Sequence, residues 1–106
     1  MFGRQVTMKL KADSATELAF INEREIIPML RMQKGFRDDT TFISPQRKEA
    51  VVNTFWDTQE EAEAYDSTGY REVLKTLSNV IEGTPIVATF ELANSTFHKA
   101  AAAGLV

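Results

Sequence analysis

The apolar residues of this chain recur at two periods, and the periods alternate in a fixed order. Over residues 5–12 polar and apolar alternate: Val6, Met8 and Leu10 point one way, Thr7, Lys9 and Lys11 the other. That two-residue period is the mark of a half-buried strand. From Ser14 to about Gln33 the period lengthens to that of a helix. Leu18, Ile21, Ile26, Met29, Leu30 and Met32 gather on one broad face, and Glu17, Arg24, Pro28 and Arg31 fall opposite. Ser14 with Glu17 three residues on reads as a capping box. Gly35 stops the helix, and Pro28 in its interior predicts a kink. Residues 36–43 and 50–56, the latter rich in Val, Phe and Trp, read as two further strands around the polar turn 44–48. So short a turn predicts an antiparallel hairpin. Thr58 and Glu61 open a second helix, with Glu60, Glu61 and Glu63 placed where its dipole favours acid. Ser67, Thr68 and Gly69 break it, Tyr70, Val73, Leu74, Leu77 and Ile81 resume it, and Gly83 ends it. Residues 85–92 form the last strand, with Ile86, Ala88, Phe90 and Leu92 on one face.

The order β-α-β-β-α-β predicts an α+β, ferredoxin-like fold: a four-stranded antiparallel sheet carrying both helices on one face. Residues 1–93 complete it, and 94–106 are left as a C-terminal tail, either loosely docked or a short helix on a partner. The chain has 106 residues, one domain's worth, and 43% of them are hydrophobic, enough for a core without staples. With 12 basic and 15 acidic residues the net charge is −3, which argues against nucleic acid or an anionic membrane as partner. There is no cysteine and one histidine, His98, so thiolate metal sites, thiol nucleophiles and multi-histidine metal centres are excluded. No apolar run approaches a membrane span, and the first ten residues do not read as a signal peptide, so a cytoplasmic location is expected.

Helices on one face leave the other face of the sheet to water or to a partner. On the third strand both parities are apolar, Val52 and Trp56 on one and Val51 and Phe55 on the other. On the fourth, Val87 opposes Ile86 and Phe90. A strand apolar on both sides is buried on both sides. A face-to-face homodimer is therefore expected.

Four segments carry a resemblance. The first helix ends Ile27, Pro28, Met29, Leu30, Arg31, followed by Gly35 and Phe36; the third strand ends Phe55, Trp56, Asp57, Thr58 with Glu60 and Glu61 beyond. Then come the break Ser67, Thr68, Gly69, Tyr70 and the entry Gly83, Thr84, Pro85, Ile86, Val87 to the last strand. In order and spacing the chain resembles the antibiotic-biosynthesis-monooxygenase-like proteins among the dimeric α+β barrels. The resemblance implies a homodimer whose sheets pack into a shared barrel, with a small pocket in each subunit between sheet and helices. Some members of that family oxidise aromatic polyketides without a cofactor, and others degrade haem. The haem-degrading members place an Asn on the first strand and a Trp and a His on the second helix. Here the first strand has Met8, Lys9 and Leu10, and Tyr65 and Lys75 stand at the helix positions. No haem and no other cofactor is therefore expected.

Two polar residues interrupt the apolar face of the first helix. Asn22 falls between Leu18, Ile26 and Met29, and Glu25 falls beside Ile21 and Met29. A carboxylate buried there would be paired or protonated and suited to act as a general base, which makes Glu25 the candidate catalytic residue. The alternative places both residues wet at a helix edge. Asn22, Trp56, Tyr65 and Tyr70 are the candidates for contact with a flat substrate, and the alternative makes the aromatics plain core. Asp38 and Asp39 are adjacent on a strand and face opposite ways, so they form no carboxylate pair. No metal site is expected. The leading expectation is a small cofactor-independent monooxygenase-like protein that acts on or binds a small aromatic or enolisable molecule. The alternative is a non-enzymatic ligand-binding or assembly module on the same dimeric fold.

Overall fold

Strand β1 (Phe2–Leu10) has hydrogen-bonding neighbours on both sides, β3 (Glu49–Trp56) and β4 (Ile81–Glu91), and β2 (Phe36–Ser44) adds to the outer edge of β3. The sheet order is β2-β3-β1-β4 and every pairing is antiparallel, the ferredoxin-like arrangement. The computed structural model describes residues 1–94 and 96. The C-terminal tail, with His98, falls almost wholly outside them.

Both helical arms are broken, each for a local reason. The first runs as α1 (Ala15–Ile21), a π-helical turn over Asn22–Ile26, and α2 (Ile27–Arg31). Pro28 has no N–H to give to the preceding turn. The wider turn lies just ahead of it, with the Ile27 N–H reaching five residues back to the Asn22 carbonyl. The second arm is α3 (Gln59–Ser67) and α4 (Gly69–Leu77), divided at Thr68, whose φ of −127° and ψ of −84° are not helical. The Thr58 hydroxyl accepts from the Glu61 N–H, so this capping box forms. The one expected at Ser14 does not. Ser14 precedes α1, but its hydroxyl donates to the Ala12 carbonyl instead.

Two sequence expectations about β4 are corrected. Ile81 opens the strand rather than ending the helix, which stops at Leu77. Gly83 sits inside the strand, at a φ of +68°, where the pairing with β1 jumps from Lys9–Glu82 to Thr7–Ile86. A bulge of this kind needs the left-handed backbone that glycine supplies cheaply.

The registers align residues into rows across the sheet. Facing the helices are Phe36–Trp56–Phe2–Glu91, Asp39–Thr54–Arg4–Thr89 and Thr41–Val52–Val6–Val87. Facing away are Asp38–Phe55–Gly3–Phe90, Thr40–Asn53–Gln5–Ala88 and Phe42–Val51–Thr7–Ile86. The core lies between the inner rows and the helices, centred on the fully buried Trp56, Leu18, Leu30 and Leu77. On the outer face Phe42, Ile86 and Phe90 are exposed in the single chain.

Candidate functional site

One inner row is polar where its neighbours are apolar. Asp39, Thr54 and Arg4 lie side by side on β2, β3 and β1, under the helices. Thr54 and Arg4 are buried, and Asp39 is partly so. They line a cavity of about 30 Å³ between sheet and helices, whose other polar walls are Asn22, Tyr65 and Tyr70. The remaining walls are aliphatic side chains of β1, the first helical arm and α4.

Asp39 makes the acid end. The Thr41 hydroxyl donates to its Oδ1 at 2.7 Å, and the Asn22 amide donates to the Thr41 hydroxyl at 3.1 Å. Asp39 Oδ2 is buried and has no hydrogen-bond partner. Burial pushes the Asp39 carboxyl above the usual aspartate value, outweighing the opposing hydrogen bonds from Thr41 and Asn22. Asn22 reaches this position from the π-helical turn, a feature that recurs at functional sites.

Arg4 makes the cationic end. Its side chain is 3% exposed, and it pairs with Asp66 on α3, which is 53% exposed. Its guanidinium carbon lies 3.9 Å from the centre of the Tyr70 ring and 5.4 Å from that of Tyr65. Tyr65 stacks on Trp56 at 4.9 Å between ring centres. The Trp56 indole donates to the Thr54 hydroxyl at 3.0 Å, and that hydroxyl reaches the Arg4 carbonyl at 3.4 Å. Burial raises both tyrosine hydroxyls above their ordinary range, and the positive charge of Arg4 opposes it in each. Both phenols are therefore neutral hydrogen-bonding groups at physiological pH.

Asn22, Tyr65 and Tyr70 thus meet in one cavity. Trp56 stands behind Tyr65 rather than in the lining. Glu25 is exposed and sits beside Phe20, Ile21 and Arg24 on the outer surface. The burial from which a basic role was expected is absent, because the π-helical turn breaks the 100° spacing used to place it. On sequence alone Asp39 is set aside with Asp38 as no carboxylate pair, and Arg4 has no role. The signal available was parity. Arg4 shares the core parity of Phe2, Val6 and Met8, and Asp39 shares that of Thr41 and Ile43.

Among the described residues, no cluster of three or more His, Asp or Glu could hold a metal ion, and no helix is long and apolar enough to cross a membrane.

No family model and no curated protein matches the sequence. Solved structures do match the fold. A protein of unknown function from Nitrosomonas europaea superposes with a TM-score of 0.74 at 13% identity, over 90% of this chain and 91% of that one. A monooxygenase of Streptomyces coelicolor, solved in complex with nanaomycin D, gives 0.73 at 17% identity, over 89% and 88%. A Deinococcus radiodurans protein provisionally named an antibiotic biosynthesis monooxygenase gives 0.70 at 15%, over 90% and 95%. The chain has the fold of antibiotic biosynthesis monooxygenase structures.

Proposed function

We propose that this chain, folded like a monooxygenase that holds an aromatic ligand, is a small oxygenase that binds an aromatic or enolisable molecule between sheet and helices and needs no bound cofactor. The observation that carries the reading is Asp39 Oδ2, a buried carboxylate oxygen without a hydrogen-bond partner on a residue that lines the cavity. A carboxylate so placed binds a proton more tightly than one in water, which is what a general base for a weak carbon or phenol acid needs. Thr41 and Asn22 hold Asp39 in place, and Tyr65 and Tyr70 orient the substrate by hydrogen bond and ring contact. For an anthrone-type methylene, Asp39 takes one proton and leaves an enolate. The enolate's electrons pass to molecular oxygen, and a C–O bond forms to give a peroxide, which takes up the first proton; loss of the second proton from carbon then breaks the O–O bond and releases water. Two C–H bonds become one C=O, with one oxygen atom in the ketone and the other in the water. The protein contributes desolvation, positioning and a proton acceptor.

The cavity as it stands has room for about one water molecule. Ligand entry therefore displaces side chains. This small volume favours the second reading in its assembly form, a module whose pocket is filled by its own side chains. In either reading the exposed Phe42, Ile86 and Phe90 are covered by the same face of a second copy.

The test uses 1,8-dihydroxyanthrone, with oxygen uptake and anthraquinone formation followed against a protein-free blank. Asp39→Asn is expected to lower the catalysed rate by about 100-fold or more in a folded protein. Glu25→Gln is expected to leave it unchanged. An unaltered rate in Asp39→Asn rejects Asp39 as the base. Saturable binding with no oxygen uptake above the blank selects the binding module.

A further inference from the structure

The cavity is chemically two-ended, and its second end has no part in the proton transfer just described. We infer that Arg4 is the specificity-determining residue of this site, and that it receives a carboxylate carried by the aromatic ligand. The inference rests on the pocket reading above and adds the class of molecule: a small aromatic acid, with its acidic O–H or C–H toward Asp39 and its carboxylate toward Arg4.

Three observations carry it. The first is spacing. Arg4 and Asp39 occupy one row of the sheet with the short side chain of Thr54 between them. Two strand separations put their backbones about 10 Å apart. Among the described residues they form no ion pair with each other, and Arg4 turns to Asp66 instead. A fused or substituted ring spans that interval and can meet both groups.

The second is the asymmetry of the Arg4–Asp66 pair. The guanidinium is enclosed while the carboxylate is half in water. Asp66 can return to solvent at little cost, since exposed partners gain little from pairing. Arg4 cannot, and an anion entering the cavity would take the place of Asp66. The Tyr70 ring against the guanidinium already fixes its plane, so a bidentate contact with a carboxylate costs little ordering.

The third is position. Arg4 also lines a surface groove of about 170 Å³, with Phe2, Glu63, Asp66, Val87 and Thr89 among its other walls, between the β4 edge and α3. It is the wall between that groove and the interior. An anionic ligand approaching through the groove passes the carboxylates of Glu63 and Asp66 and meets the guanidinium before the cavity.

Calorimetric binding of 6-hydroxy-2-naphthoate and of its methyl ester tests this. The wild-type protein is expected to bind the acid at least tenfold tighter than the ester. Arg4→Gln is expected to bind the two alike, and Arg4→Lys to keep part of the preference. Asp66→Asn removes the competing carboxylate and leaves the guanidinium in place. It is expected to strengthen acid binding several-fold without changing the ester. Equal affinities for acid and ester in the wild type, or a preference that survives Arg4→Gln, overturn the role of Arg4 while the pocket reading stands. Should Arg4→Gln not fold, Asp66→Asn decides alone, and no gain for the acid overturns the inference. If neither compound binds the wild type or Asp66→Asn, the pocket reading falls and the inference with it.

Discussion

Asp39 sets the chemistry of the cavity through a cost the fold carries at neutral pH. Its carboxyl is pushed above the ordinary 3.8 by burial. Below that value it is protonated in both folded and unfolded chains, and its burial costs no charge. As pH rises, the unfolded chain releases the proton first, and stability is lost up through the raised folded value. Asp39→Asn removes the titration. Its melting temperature relative to wild type is expected to rise as pH increases from below the ordinary aspartate value through the raised folded one, and a flat difference would contradict the burial of this carboxylate. Asn22 was legible as a site residue because it interrupts an apolar helical face. Asp39 was not, since two adjacent aspartates on a strand face opposite ways and only the register shows which one faces inward. Arg4 was hidden for a related reason: a lone cation near the start of a strand reads as surface. Glu25 was misplaced by geometry that composition does not announce, one wide turn in a helix.

At the scale of elements the sequence was read more fully. Strand order, hairpin, Thr58 cap and the break at Thr68 follow from period and punctuation, which are local. The β4 boundary did not, because Gly83 serves a bulge fixed by its partner strand, and glycine punctuates helices and strands alike. Gly35 joins the first helical arm to β2 and is constrained twice. Its φ is +83°, and an added Cβ would lie 2.3 Å from Glu61 Oε1 and 2.9 Å from Glu61 Cβ. Gly35→Ala is therefore expected to destabilise the chain by about 1–3 kcal/mol, read as a lower denaturation midpoint with an unchanged slope. Adding Glu61→Ala relieves the collision with the carboxylate end and leaves the close approach to Cβ of residue 61 and the backbone strain. The double variant is expected to recover part of the loss, and full recovery would show that the left-handed backbone costs nothing here.

For the whole molecule, the expectation most exposed to failure is the second copy. Phe42, Ile86 and Phe90 stand at two edges of the outer face, with the Asn53–Gln5 pair between their rows. Native mass spectrometry is expected to give twice the chain mass. Phe42→Asp with Ile86→Asp is expected to give the single-chain mass with the helical signal retained, and a wild-type monomer at micromolar concentration would remove the sheet-to-sheet assembly. The central place of β1 has a further consequence, for birth rather than for binding. It is made before either of its partners, residues 49–56 on one side and 81–91 on the other. The hairpin of β2 and β3 can close while synthesis continues, because its contacts are local. β1 must wait, an amphipathic ribbon with two open edges, until nearly all of the described chain has been made. During that interval a nascent-chain chaperone has its clearest substrate in residues 2–10, and synonymous codons that slow translation beyond residue 56 would lengthen the exposure.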